Sequence, residues 1–84
     1  MKNNNLSENA KRVLEMFDNN HILRKTLVNK CRENGMSRSE YSKAINELKE
    51  NDIITSYEVL PSMNPAIYNI VPTDYAVTLY IVNK

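Results

Sequence analysis

The chain has 84 residues and a mass of 9.7 kDa. At that size folding buries only about 60 to 65% of the surface an unfolded chain exposes, so one domain, residues 6–84 behind a flexible 1–5, is the expected organisation. An apolar fraction of 42%, a charged fraction of 25%, one Gly and three Pro exclude a disordered, collagen-like or disulfide-stapled chain. The single cysteine, Cys31, cannot close an intramolecular disulfide and has no companions for a zinc site, so a reducing, cytoplasmic location is expected. No run approaches the ~18 to 20 apolar residues of a membrane span, and Met1–Asn5 is not followed by the apolar stretch of a secretory signal. No membrane association is expected.

The net charge of +1 hides an asymmetry. Between Arg24 and Lys49 there are seven basic residues against three acidic ones, a local net of +4, while the remainder has four basic and seven acidic residues, a net of −3. Segregated charge of this kind either solvates a helical surface or attracts a polyanion.

Leu6 to Phe17 is the first predicted element: Leu6, Ala10, Val13, Leu14 and Phe17 recur at helical spacing behind Ser7 and Glu8, a cap and an acidic first turn. Asp18-Asn19-Asn20 breaks it. Ile22 to Glu33 repeats the helical pattern, with Leu27, Val28 and Cys31 on its stripe, and Asn34-Gly35 supplies a left-handed terminator. A third helix, 37–51, opens on Ser37 and Glu40 in the order of a capping box. It buries Tyr41, Ala44, Ile45 and Leu48 and ends at Asn51-Asp52. From Ile53 the period changes to two: Ile53 to Leu60 and Ala66 to Val71 read as the strands of a hairpin whose tip contains Pro61, Asn64 and Pro65. Pro72-Thr73-Asp74 closes it. Tyr75 to Val82 is open between two readings: Thr73 or Asp74 can cap a short helix, whereas Val77, Thr78, Ile81 and Val82 are β-branched and favour a strand.

Three helices, a tight Gly-containing turn between the second and third, and then a hairpin is the order of a winged helix-turn-helix domain, an α+β fold. The run from Ser39 to Ile54 resembles that family's recognition helix and its exit into the wing, with a polar start, a Ser-basic pair at Ser42-Lys43 and the aliphatic pair Ile53-Ile54. Tyr68 to Thr73 resembles the returning wing strand. The resemblance spans roughly residues 6–82 and is of the type seen in small prokaryotic, phage or plasmid regulators. It implies a C-terminal helix, which tips the reading of 75–82 towards helix with a third strand as the alternative. Where many relatives have Gly between recognition helix and wing, this chain has Asp52, which must take up the turn conformation beside Asn51. The wing tip, Leu60 to Ala66, lacks the Arg or Lys that related DNA binders often place there.

The residues nominated for DNA contact are Arg38, Ser39, Ser42, Lys43 and Asn46, since Arg and Lys pair with guanine edges and Asn with adenine in the major groove. Lys49 reaches phosphate or satisfies the helix end. Arg24 and Lys25, at the start of the preceding helix, suit phosphate, and Ser62 and Asn64 can donate to phosphate from the wing. Tyr41 and Cys31 read as core, and His21 has no companions in metal-ligand spacing. Neither a metal nor another cofactor is expected. The usual nucleophile, base and oxyanion groups are missing, so an enzyme is not expected.

The function these features imply is sequence-specific binding of double-stranded DNA, as a transcriptional repressor or a plasmid or phage site-binding protein. One recognition helix covers few base pairs, so a homodimer is expected, with Leu6, Tyr75, Leu79, Tyr80 and Val82 as its apolar interface. The rival is a protein-interaction module on the same fold, such as a phage-encoded inhibitor or an assembly subunit. It would use the uncharged segment Leu60 to Pro65 to hold a protein partner at the wing.

Overall fold

The computed structural model describes residues 6–83; the expected flexible segment 1–5 lies outside them. Over these residues the protein is a small α+β domain with four α-helices and a three-stranded antiparallel sheet. In chain order these are α1 (Glu8–Glu15), β1 (His21–Leu23), α2 (Arg24–Glu33), α3 (Arg38–Glu50), β2 (Ile54–Val59), α4 (Pro65–Tyr68) and β3 (Val77–Val82). None of the helices among the described residues is long and apolar enough to cross a membrane.

Local chemistry sets the helix ends. The Ser7 hydroxyl accepts from the Ala10 N–H at 3.2 Å and caps α1. Asn19 and Asn20, both at positive φ, form a two-residue turn in which Asp18 and His21 exchange backbone hydrogen bonds, a conformation Asn tolerates better than most residues. α2 closes on Gly35 at φ +79°, with the Met36 N–H donating to the Cys31 carbonyl. α3 closes the same way on Asp52 at φ +58°, with the Ile53 N–H donating to the Leu48 carbonyl. In both, a left-handed residue turns the chain so that the next apolar side chain folds back onto the helix.

The sheet order is β1-β3-β2. Ile22 pairs with Tyr80 and Tyr80 with Ser56, so Tyr80 stands mid-strand in the central strand. Alternation along β3 puts Tyr80 and Val82 towards the helices and Leu79 and Ile81 on the opposite face. The main core joins Val13 of α1, Leu27 and Cys31 of α2, Ile45 and Leu48 of α3, and Ile54 and Tyr80 of the sheet. A second, smaller apolar layer lies on the sheet's other face, where Ile67 and Ile70 approach Leu23 and Leu79 around a cavity of ≈ 410 Å³.

Four sequence expectations are corrected. Residues 21–23 are a strand, not the start of the second helix: Ile22 and Leu23 satisfy an apolar stripe and a buried strand equally well, and pairing with β3 decides. Ala66 to Val71 contains no strand. Pro65 occupies the first position of α4 and the Asn64 side chain accepts from the Ile67 N–H at 3.4 Å, so a local cap outweighs the β-branched composition. The C-terminal segment is a strand from Val77 to Val82, not a helix. Finally, Leu6 and Tyr80 belong to the core, and Val82 packs against it, so the nominated dimer surface is largely consumed inside the protomer. Of that set Tyr75 alone is widely open, at 81% exposure.

Candidate nucleic-acid interface

α3 is fixed at both ends and along one side. Ser37 and Glu40 form the reciprocal capping box: the Glu40 N–H donates to the Ser37 hydroxyl at 3.2 Å and the Ser37 N–H donates to the Glu40 carboxylate at 2.7 Å. Tyr41, Ala44, Ile45 and Leu48 are buried. Arg38, Ser39, Lys43, Asn46 and Lys49 are consequently exposed and Ser42 half-buried. Thirteen residues at a rise of about 1.5 Å make a rod about 20 Å long, a shape a major groove of about 12 Å width accepts.

Two of the three acidic side chains of α3 are engaged elsewhere, and only Glu50, exposed in the last turn, shares this face. Glu40 is held by its own helix end, and Glu47 accepts from both the N–H and the hydroxyl of Ser7 at 2.8 Å, tying α1 to α3. Among the described residues the one ion pair is Lys30–Asp18, at 3.1 Å, where the Lys30 ammonium also donates to the Met16 carbonyl. Lys30 therefore staples α2 to the end of α1, and the cations of the α3 face are left for another partner.

Hydrogen bonds from the Ser37 backbone N–H, and then the Ser37 hydroxyl, hold the Glu40 carboxyl below the usual carboxylate range. Because its pKa is lower folded than unfolded, the stabilisation is present above the unfolded value and is lost as pH falls through the folded one. Glu40→Gln should accordingly melt below the native chain at neutral pH, and the gap between the two should close on acidification. Melting curves by circular dichroism across pH 7 to 2 check this; a gap constant with pH would mean that the carboxylate charge adds nothing.

Arg24, Lys25, Arg32 and Arg38 line an open groove of ≈ 990 Å³ between α2, the start of α3 and the start of β3, over apolar Val28 and Met36. The Arg24 guanidinium donates to the Tyr80 hydroxyl at 2.7 Å. It is positioned by a hydroxyl and not by a carboxylate. Sequence reasoning nominated Arg24, Lys25 and Arg38 but not Arg32 or Asn29. Their signal was the spacing Lys25, Asn29, Arg32 on one face of α2.

Two cation placements run against helix electrostatics. α2 has no acidic residue in its first turn and no side-chain cap, and instead begins with Arg24 and Lys25. α3 begins with Arg38. Helix N-termini carry partial positive charge and stabilise anions by about 0.3–1 kcal/mol, so these cations do not serve their helix ends.

The groove does not gather every nominated residue. Asn64 lines the smaller cavity beside β1 and caps α4, and Ser62 sits in a 3₁₀ turn, Pro61–Met63; neither lines the groove. His21, whose Nδ1 lies 3.2 Å from the Asn19 carbonyl, borders that smaller cavity too. Cys31 is buried with its Sγ 3.7 Å from the Met16 sulfur, and burial pushes its thiol pKa up, opposed by the Arg12 charge. Among the described residues no three His, Cys, Asp or Glu side chains gather as metal ligands. Comparison of the chain with protein-family models, with curated proteins and with solved structures finds no match.

Proposed function

We propose that this chain is a cytoplasmic, sequence-specific double-stranded DNA-binding protein of winged-helix type. In this reading α3 lies in the major groove, β2 and β3 are the wing strands and residues 60–76 the wing loop. The observation that carries the reading is the concentration of cations, unpaired with acidic groups among the described residues, at the start of α2, the start of α3 and along the exposed side of α3. Cations at the positive ends of two helices make sense when a third party brings the anions, and DNA phosphates do so at high density. Arg38, Ser39, Ser42, Lys43 and Asn46 then face base edges, while Arg24, Lys25, Arg32 and Lys49 face phosphates. Binding as a dimer to half-sites about one helical turn apart supplies the length of sequence a repressor or site-marking protein reads.

A second reading, a protein-interaction module, draws on one observation. Residues 60–73 carry no charge, and Met63, Ile70 and Tyr75 around them are 62–81% exposed.

Fluorescence anisotropy of duplex DNA titrated with the protein at several salt concentrations separates the two. The DNA reading expects affinity that falls steeply with salt, plus preference for one duplex over random sequence. Weak binding indifferent to sequence overturns it and favours the interaction module.

A further inference from the structure

We propose that β2 is a dimerisation edge: a second copy of this chain lays its own β2 antiparallel to this one, across a two-fold axis at Tyr57, giving a continuous six-stranded sheet. β2 is the end strand in the order β1-β3-β2, so one side of its backbone has no strand partner among the described residues. The other end of the sheet differs. There β1 spans only three residues, and Ile67 and Ile70 lie beside Leu23. β2 runs six residues in unbroken register with β3, without Pro, Lys or bulge, and its one edge charge, Glu58, is already bonded to the Thr78 hydroxyl. Ser56, Tyr57 and Glu58 are all exposed.

The sequence of the strand is self-complementary in one register. A two-fold axis perpendicular to the sheet keeps each residue on its own face, so residues pair only with partners of the same parity. With the axis at Tyr57, Tyr57 meets its own copy, Thr55 meets Val59, and Ser56 meets Glu58. An axis at Glu58 would set two carboxylates face to face, and one at Ser56 would set Glu58 against Ile54 of the core; both are unfavourable pairs. In the favoured register Glu58, which already accepts from the Thr78 hydroxyl at 2.9 Å, gains a hydroxyl donor. On the outer face, Tyr57 is 48% exposed beside Leu79, and the two copies form an unbroken apolar row. Glu58 is the one charge on the strand, and in this register it meets Ser56 of the second copy rather than another charge.

This dimer does not depend on the DNA-binding reading, and its readout is mass. Sedimentation equilibrium of the full chain should show a concentration-dependent species of twice 9.7 kDa, and Tyr57→Glu should return it to monomer with unchanged helical circular dichroism. Tyr57→Cys, directly opposite its own copy, should cross-link on mild oxidation faster than Thr55→Cys; buried Cys31 does not compete. This second comparison decides the matter if Tyr57→Glu fails to fold. A monomeric native chain, a folded Tyr57→Glu dimer, or equal cross-linking at positions 55 and 57 would overturn the assignment.

Discussion

Arg38→Glu combined with Lys43→Glu is expected to abolish specific duplex binding while leaving the fold and its melting temperature nearly unchanged. A good base-edge contact is worth about 1–3 kcal/mol. Losing two costs roughly 2–6 kcal/mol, at least about thirtyfold in affinity at 1.4 kcal/mol per decade. Replacing two cations by two anions adds repulsion from the phosphates on top of that loss. Preference for the cognate duplex over random sequence should be lost as well, because the contacts removed are to base edges rather than to phosphates.

The fold should tolerate the exchange for a reason visible at each position. Neither side chain is buried, and neither takes part in an ion pair among the described residues. Arg38 is the first residue of α3, where Glu suits the helix dipole better than Arg does. Lys43 is exposed mid-helix, and Lys and Glu have similar helix propensity. Anisotropy titration and thermal melting of the same sample check both halves. Unchanged binding by a folded double variant would remove α3 as the reader and, with it, the proposed function.

How far the sequence foretold this arrangement depends on where each element's determinants lie. α3 was legible nearly to the residue, because its signals are local: Ser37 and Glu40 at one end, Asn51-Asp52 at the other, and four apolar residues at helical spacing. β1 was not. Its strand partner β3 lies more than fifty residues away, and three residues cannot establish a period of two. Residues 66–71 mislead for the opposite reason: Asn64-Pro65, a cap and a first-turn proline, look in sequence like turn residues, and the aliphatics after them look like a strand. For Tyr75 to Val82, β-branched propensity pointed correctly to a strand, and the expectation of a C-terminal helix came from family resemblance. Exposure on α3 followed directly from knowing which of its residues are apolar. The groove involving Arg24 and Arg32 was harder, since it needs α2, α3 and β3 brought together, and the hydroxyl that positions Arg24 comes from Tyr80.

That distant tyrosine carries the second large effect. Tyr80→Ala is expected to destabilise the domain by about 3–5 kcal/mol, the range for deleting a buried aromatic ring. Tyr80 is only 2% exposed and is flanked by Ile22 and Ser56 on neighbouring strands. Small domains have total stabilities towards the lower end of about 5–15 kcal/mol, so the variant should sit close to its unfolding midpoint without denaturant. Tyr80→Phe keeps the ring and loses only the bond to Arg24, a cost of about 1 kcal/mol, and it should weaken DNA binding by freeing Arg24 from its fixed position. Truncation after Pro72 goes further. It removes β3, which alone joins β1 to β2, and no sheet remains to cover α2 and α3. Urea denaturation followed by circular dichroism orders the set: native, then Tyr80→Phe, then Tyr80→Ala, with the truncated chain unfolded. A truncated chain that still melts cooperatively would mean the helices fold without the sheet, contrary to a core in which Ile54 and Tyr80 close over Leu27 and Leu48.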